Sequence, residues 1–247
     1  STITAMHLSL SDEMHPFNME DKEKNSFTPI VEESELLHQE ITTLFKATID
    51  IETDIADIAN QGDYDLLLVG LGKSIFEGTI LGKVIGFTTR IINPDRLIDK
   101  FTGKEGLFEN SPFDERTRQI ISKTKMPLGI LIDKELQEVN QVFVPIFNSD
   151  DSFLIDYVQK LIYNNNSKVM VLDVNEHINS NFVIKSAINS LEEKYPQNIT
   201  LMKERIIKKE FLSNQDLMII SLESWKTLVE TRSIWLSRVP SVLILKQ

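Results

Sequence analysis

The sequence predicts an α/β fold built on parallel sheets, and three observations carry that expectation. Short apolar runs alternate with longer amphipathic stretches along the chain, the pattern of strand–helix–strand units. Several runs are aliphatic with no polar alternation, as strands covered on both faces are. Two segments also recur in the same order: Asp65-Leu66-Leu67-Leu68-Val69 with Asp216-Leu217-Met218-Ile219-Ile220, and Pro127-Leu128-Gly129-Ile130-Leu131 with Pro240-Ser241-Val242-Leu243-Ile244. Recurrence of this kind implies a duplicated unit.

The apolar runs place strands at Thr2–Leu8, Leu44–Ile49, Asp65–Val69, Leu128–Ile132, Val142–Ile146, Lys168–Asp173, Ile199–Lys203, Asp216–Ile220 and Ser241–Leu245. Helical periodicity falls on Pro29–Thr43, Glu52–Asn60, Phe113–Lys125, Ser152–Tyr163, Phe182–Lys194 and Lys226–Arg238. Ser111-Pro112, with Asp114 and Glu115 behind it, reads as an N-cap, a first-position proline and acids in the first turn. Pro127 and Pro240 each stand just before a strand, where a helix must already have stopped.

The two copies divide the chain into a first domain over 1–135 and a second over 138–247, with the boundary in the polar stretch Asp133–Asn140. They differ in two ways. The shared Asp and Pro lie 62 positions apart in the first copy (65 to 127) and 24 apart in the second (216 to 240), so the first carries an insertion of 38 residues, near 72–111. The second copy has five strands and the first has four. The missing part corresponds to Asn140–Asn166, an opening strand and helix. The expectation is a first unit truncated at its N-terminus, with a vacant central slot that closes up, is filled by another chain, or is wetted.

Composition narrows the function. The chain has 247 residues and no cysteine, which excludes disulfides, thiolate metal sites and a cysteine nucleophile. Net charge is −11, and residues 1–60 alone hold 13 acidic against 3 basic side chains. Nucleic-acid binding is disfavoured, since phosphate contacts need a clustered cationic face. No apolar run approaches the 18 or so residues of a membrane span. The four histidines, His7, His15, His38 and His177, make no metal-ligand spacing. No Gly-x-Ser-x-Gly elbow is present. Neither an enzyme nor a metal site is expected.

The five-strand pattern, with Asp-Leu-aliphatic before a turn and a proline before the last strand, resembles a universal stress protein domain, here two in tandem. The run Tyr64-Asp65-Leu66-Leu67-Leu68-Val69-Gly70-Leu71-Gly72-Lys73-Ser74-Ile75-Phe76-Glu77-Gly78, continuing at Phe108-Glu109-Asn110-Ser111-Pro112-Phe113-Asp114-Glu115-Arg116, resembles the cytoplasmic C-terminal region of bacterial sodium/proton and cation/proton antiporters. The resemblance implies two doubly wound parallel sheets of strand order 3-2-1-4-5, with ligands bound beyond the strands' carboxyl ends between strands one and four. It also implies a regulatory or sensory module attached to a membrane antiporter in the same polypeptide, at the cytoplasmic face of the bacterial inner membrane. The rival from another class is a free-standing stress protein binding an adenine nucleotide.

The candidate anion or nucleotide turn is Gly70, Gly72, Lys73, Ser74 and Gly78: glycines admit backbone N–H groups to an anion, and Lys73 adds a positive tip. Its spacing matches neither a P-loop nor the stress-protein motif Gly-x₂-Gly-x₉-Gly-Ser/Thr. In the second copy, Ser221-Leu222-Glu223-Ser224-Trp225 has no glycine and puts an acid where phosphate would sit, so that unit reads as degenerate. Asn148, Asp150 and Asp151 read as a loop and helix cap. The insertion mixes aromatics with arginine, as interfaces do. Phe101, Phe108, Phe113 and Arg116 are therefore candidates for contact with the transporter or with a second copy in a homodimer.

Overall fold

The structure is a computed structural model that describes residues 3–13, 19–71, 113–202, 207, 209–231 and 233–247. The aliphatic runs form β1 (Ile3–Leu10), β2 (Ile41–Thr48), β3 (Leu67–Leu71), β4 (Leu128–Ile132), β5 (Gln141–Ile146), β6 (Lys168–Asp173), β7 (Ile199–Met202), β8 (Leu217–Ser221) and β9 (Ser241–Lys246). Between them lie α1 (Met19–Leu36), α2 (Ile51–Gln61), α3 (Glu115–Lys123), α4 (Leu154–Asn165), α5 (His177–Ser180), α6 (Phe182–Lys194), α7 (Lys209–Ser213) and α8 (Leu222–Glu230).

Seven strands form one sheet of order β3-β4-β9-β8-β5-β6-β7, and β1 and β2 form a separate parallel pair. Every pairing is parallel except β4 with β9. The run β7-β6-β5-β8-β9 is the expected 3-2-1-4-5 order. The expectation of two self-contained sheets is corrected. Strands β3 and β4 leave β1 and β2 and extend the other sheet, because the outer edges of β4 and β9 satisfy each other across five residue pairs, from Leu128 opposite Lys246 to Ile132 opposite Val242. Gly129 keeps this junction close, for a Cβ there would stand 3.0 Å from Leu68 Cδ1 and 3.4 Å from leucines 243 and 245. Lys246 ties the junction to α3, donating from Nζ to the carbonyls of Ile121 at 2.8 Å and Thr124 at 2.9 Å. Burial, followed by the charge of Lys226, holds its amine below the ordinary lysine value.

Each face of the large sheet carries its own core. One face packs β5, β6 and β8 residues such as Val144, Val171 and Ile219 against Leu154, Val158 and Ile162 of α4 and Ile184 and Ile188 of α6. The opposite face gathers Leu128, Ile130, Phe143, Met218 and Ile244 with Ile55, Ile120, Trp225 and Leu236. Covered on both faces, these strands have no polar alternation. Phe143 is buried and meets Phe211 edge-on at 5.3 Å and Trp235 at 6.0 Å. Strand β1 is covered on both faces too: Leu8 joins the cluster with Ile55 of α2. On the alternate side, buried His7 stacks on Phe45 at 5.2 Å and meets Phe27 of α1 edge-on.

Three helix boundaries differ from the sequence expectation. Helix α1 runs over Met19–Leu36 with Pro29 inside it, not at its start, and the chain leaves it through a left-handed His38. The β-branched run Ile41-Thr42-Thr43 then goes to β2. Asp114, not Ser111, caps α3, its side chain accepting from Thr117 N at 2.8 Å. The last helical stretch is two pieces, because Ser221 caps α8 immediately after β8 and Ser233 starts a separate 3-10 turn at Ile234–Ser237.

Asp54 of α2 pairs with Lys46 of β2 at 2.9 Å, and the Thr48 hydroxyl, then Lys46, hold its carboxyl below the usual 3.8. A lowered carboxylate pKa contributes stability above the unfolded value, and that contribution is lost as pH falls through the folded one. Asp54→Asn is therefore expected to flatten the acid limb of stability below about pH 4 and leave its shape near pH 7 unchanged, read by urea denaturation across pH.

Candidate functional site

The chain order of the seven-stranded sheet reverses between β5 and β8, and a crevice beyond their carboxyl ends is where a ligand would sit in such a fold. Here the position is occupied by the protein's own carboxylate. Strand β5 ends at Ile146, and the chain enters a 3-10 turn over Ser149–Phe153, capped by Asn148 and carrying Asp151. Asp151 is 1% exposed. Its Oδ2 accepts from the backbone N–H of Phe147 at 2.8 Å and of Asn148 at 3.2 Å. The Ser224 hydroxyl donates to both carboxylate oxygens at 3.0–3.1 Å, and the Ser221 hydroxyl donates to Oδ1.

The network closes on itself. Ser221 Oγ also accepts from Ser224 N at 3.2 Å, which caps α8, and Asn148 Nδ2 donates to Ser224 Oγ at 3.4 Å. A negative charge at a helix N-terminus is favourable, and Asp151 supplies it from within. A second anion would meet a desolvated carboxylate and donors already in use. Both serine hydroxyls are held by their bonds to Asp151. The arrangement is a structural latch joining the end of β5 to the start of α8.

An open depression of about 560 Å³ lies at the other end of the strands. Asp216, Val239 and Ser241 at the amino ends of β8 and β9 line it together with Lys134 and Glu135. Lys134 donates from Nζ to the carbonyl of Val239 at 2.9 Å, so that amine is engaged in holding the linker.

Of the residues expected to form the anion turn, Gly70 lies within β3 opposite Leu131 and not in a turn. Gly72, Lys73, Ser74 and Gly78 lie outside the described residues, as do Phe101 and Phe108. Phe113 is corrected as an interface candidate: it is 4% exposed and belongs to the core that holds Ile120 and Leu128. Arg116 pairs within the chain, its Nε 3.2 Å from Glu52 Oε1 of α2. The acid expected in the second copy's turn, Glu223, instead points outward and pairs with Lys226 at 2.8 Å. The carboxylate that fills the crevice comes from 70 residues earlier. The sequence signalled only its local half, the spacing Asn148-x-x-Asp151 of a capping box.

No family model matches this sequence, and no curated protein matches it. Solved structures do. A crystal structure of the cytoplasmic domain of a prokaryotic cation chloride cotransporter aligns with TM-score 0.54 and 14% identity, covering 99% of this chain and 84% of that one. A universal stress protein from Archaeoglobus fulgidus aligns with TM-score 0.53 and 11% identity, covering 100% of this chain and 86% of that one. The fold is universal-stress-protein-like. Within that fold Asp151 links the carboxyl end of β5 to Ser221 and Ser224 at the carboxyl end of β8, and among the described residues no helix is long and apolar enough to cross a membrane.

Removal of the latch carboxylate strands two backbone donors and two hydroxyls in a dry site. Asp151→Ala is expected to lower stability by about 3 kcal/mol, read by urea denaturation. Glu223→Ala, at an exposed acid in the first turn of α8, is expected to stay within about 0.5 kcal/mol.

Proposed function

We propose that this chain is the cytoplasmic regulatory module of a membrane cation transporter, a sodium/proton antiporter by its sequence resemblance. It would comprise two universal-stress-protein-like units in tandem, the first without its opening strand and helix. The observation that carries this reading is the full-length likeness to a transporter's cytoplasmic domain, beside a crevice between β5 and β8 that holds Asp151 in place of a ligand. The resemblance over Tyr64–Gly78 points to the same attachment. On this reading the chain is not an enzyme. It biases the transporter's conformational equilibrium through contacts that differ between states, made with the membrane domain of its own polypeptide and with a second copy in a homodimer. Its place is the cytoplasmic face of the bacterial inner membrane.

The rival reading, a free-standing stress protein that binds an adenine nucleotide, leans on Gly72, Lys73 and Ser74. The self-filled crevice disfavours it for the second unit, leaving only the first.

The coding sequence upstream of Ser1 is expected to encode apolar spans of membrane length. Removal of residues 1–247 from the encoded transporter is expected to change cation-driven proton flux in everted membrane vesicles by several-fold, in the range of ordinary allosteric couplings. Flux that is indifferent to the deletion, or no spans upstream, overturns the proposal.

The rival makes its own claim on the isolated chain. It requires ATP or ADP to raise Tm in a saturable way, with the rise lost in Lys73→Ala. The regulatory reading expects no such rise.

A further inference from the structure

We propose that the space between β1 and β3 is a docking slot for one parallel β-strand and its following amphipathic helix, joined to the chain ahead of Ser1, with Asp65 as the anchor for the strand's first amides. The inference rests on the reading of the chain as two copies of one unit and not on the transporter role.

The two copies supply the argument. In the second, β5 stands between β6 and β8 and hydrogen-bonds to both. In the first, the counterparts of β6 and β8 are β1 and β3, and among the described residues no strand lies between them. Among the described residues β1 pairs only with β2, and β3 only with β4. Yet β1 is covered by α1 on one face and α2 on the other, as the interior strand of a sheet is and an edge strand is not.

Burial of the matching residues identifies what is missing. Ile219 of β8 is 0% exposed, packed in the cluster that holds α4. Its counterpart Leu68 of β3 is 56% exposed. The face left bare is therefore the one that the helix after β5 covers in the second copy. The amino end shows the same difference. Asp216 Oδ2 accepts from the backbone N–H groups of Asn140 at 2.9 Å and Gln141 at 2.8 Å, fixing the start of β5. Its counterpart Asp65 is exposed and accepts no such pair among the described residues.

The register of β5 transfers directly. Val142 to Ile146 lie opposite Val169 to Asp173 of β6. The docked strand then lies opposite Ile3 to His7 of β1 and beside Leu66 and Leu67 of β3. Buried on both faces, it must be apolar throughout, as Val142-Phe143-Val144-Pro145-Ile146 is. In the second copy β5 runs through its helix straight into β6, the counterpart of β1, so the matching strand and helix belong immediately before β1 in chain order.

The test grafts a copy of Asn140–Asn166 ahead of Ser1 in the full chain. A control graft carries lysine at its strand's valine positions. Amide exchange by mass spectrometry is read over Ile3–Leu10 and Leu67–Leu71, beside Tm and sedimentation. The graft is expected to slow exchange in both strands and to raise Tm by about 4 °C or more. The control graft is expected to do neither. Asp65→Ala is expected to shrink the rise in the grafted chain while leaving the ungrafted Tm unchanged. Equal exchange in β1 and β3 with and without the graft overturns the proposal. So does slow exchange in the ungrafted chain that appears only in a sedimenting dimer, for then a second copy fills the slot. None of these readouts involves transport, so failure of the regulatory reading leaves them untouched.

Discussion

A parallel strand covered on both faces must find hydrogen-bond partners along both edges, and that demand organises the molecule. Water cannot reach the backbone of such a strand, so each unmatched N–H or C=O there carries a desolvation penalty. The second half meets the demand alone for β6, β5 and β8, which sit inside the sheet. The first half meets it for β4 by borrowing β9. The antiparallel ladder from Leu128 opposite Lys246 to Ile132 opposite Val242 makes interior strands of two that would otherwise be edges. Lys246 adds a second tie at the same place by closing the carboxyl end of α3.

The same accounting explains the chemistry of the crevice. A sheet whose order reverses leaves a gap beyond its strand ends, lined by backbone donors and the amino terminus of a helix. Those donors need an acceptor whether or not a ligand is available. Asp151 answers two backbone amides and two serine hydroxyls, and Ser221 in turn caps the terminus of α8. A unit that fills its own crevice needs no ligand to be stable there.

Much of this was legible in the sequence, because the demand leaves a compositional trace. Interior parallel strands must be aliphatic on both faces, so Val142–Ile146 and Leu217–Ile220 announce themselves, and the repeated Asp-Leu and Pro-strand signals fall where strands do. Less was legible where position depends on a distant partner. The pairing of β4 with β9 brings together residues more than 100 positions apart, and nothing local distinguishes an edge that will find a mate from one that will not. Asp151 looked like a cap and is one, yet its other partners, Ser221 and Ser224, lie 70 and 73 positions away. Phe113 followed an insertion rich in aromatics and charges, which suggested exposure. Its neighbours Ile120 and Leu128 instead draw it into the core. Pro29 suggested a helix start, but the residues before it are polar helix formers that a proline does not prevent from coiling.

The contrast between Leu68 and Ile219 shows how far a repeated motif determines burial. Both sit three positions after the matching aspartate, on strands with a matching parallel neighbour on one side. One is in the core and the other stands open. Local sequence placed both on a strand and on the same face; only the presence of α4 over one of them set their burial. A leucine on the bare position is costly to expose and serves no evident purpose in the described fold. The same apolar residue type is thus compatible with a core position and with an exposed one, and the neighbouring elements decide which it becomes.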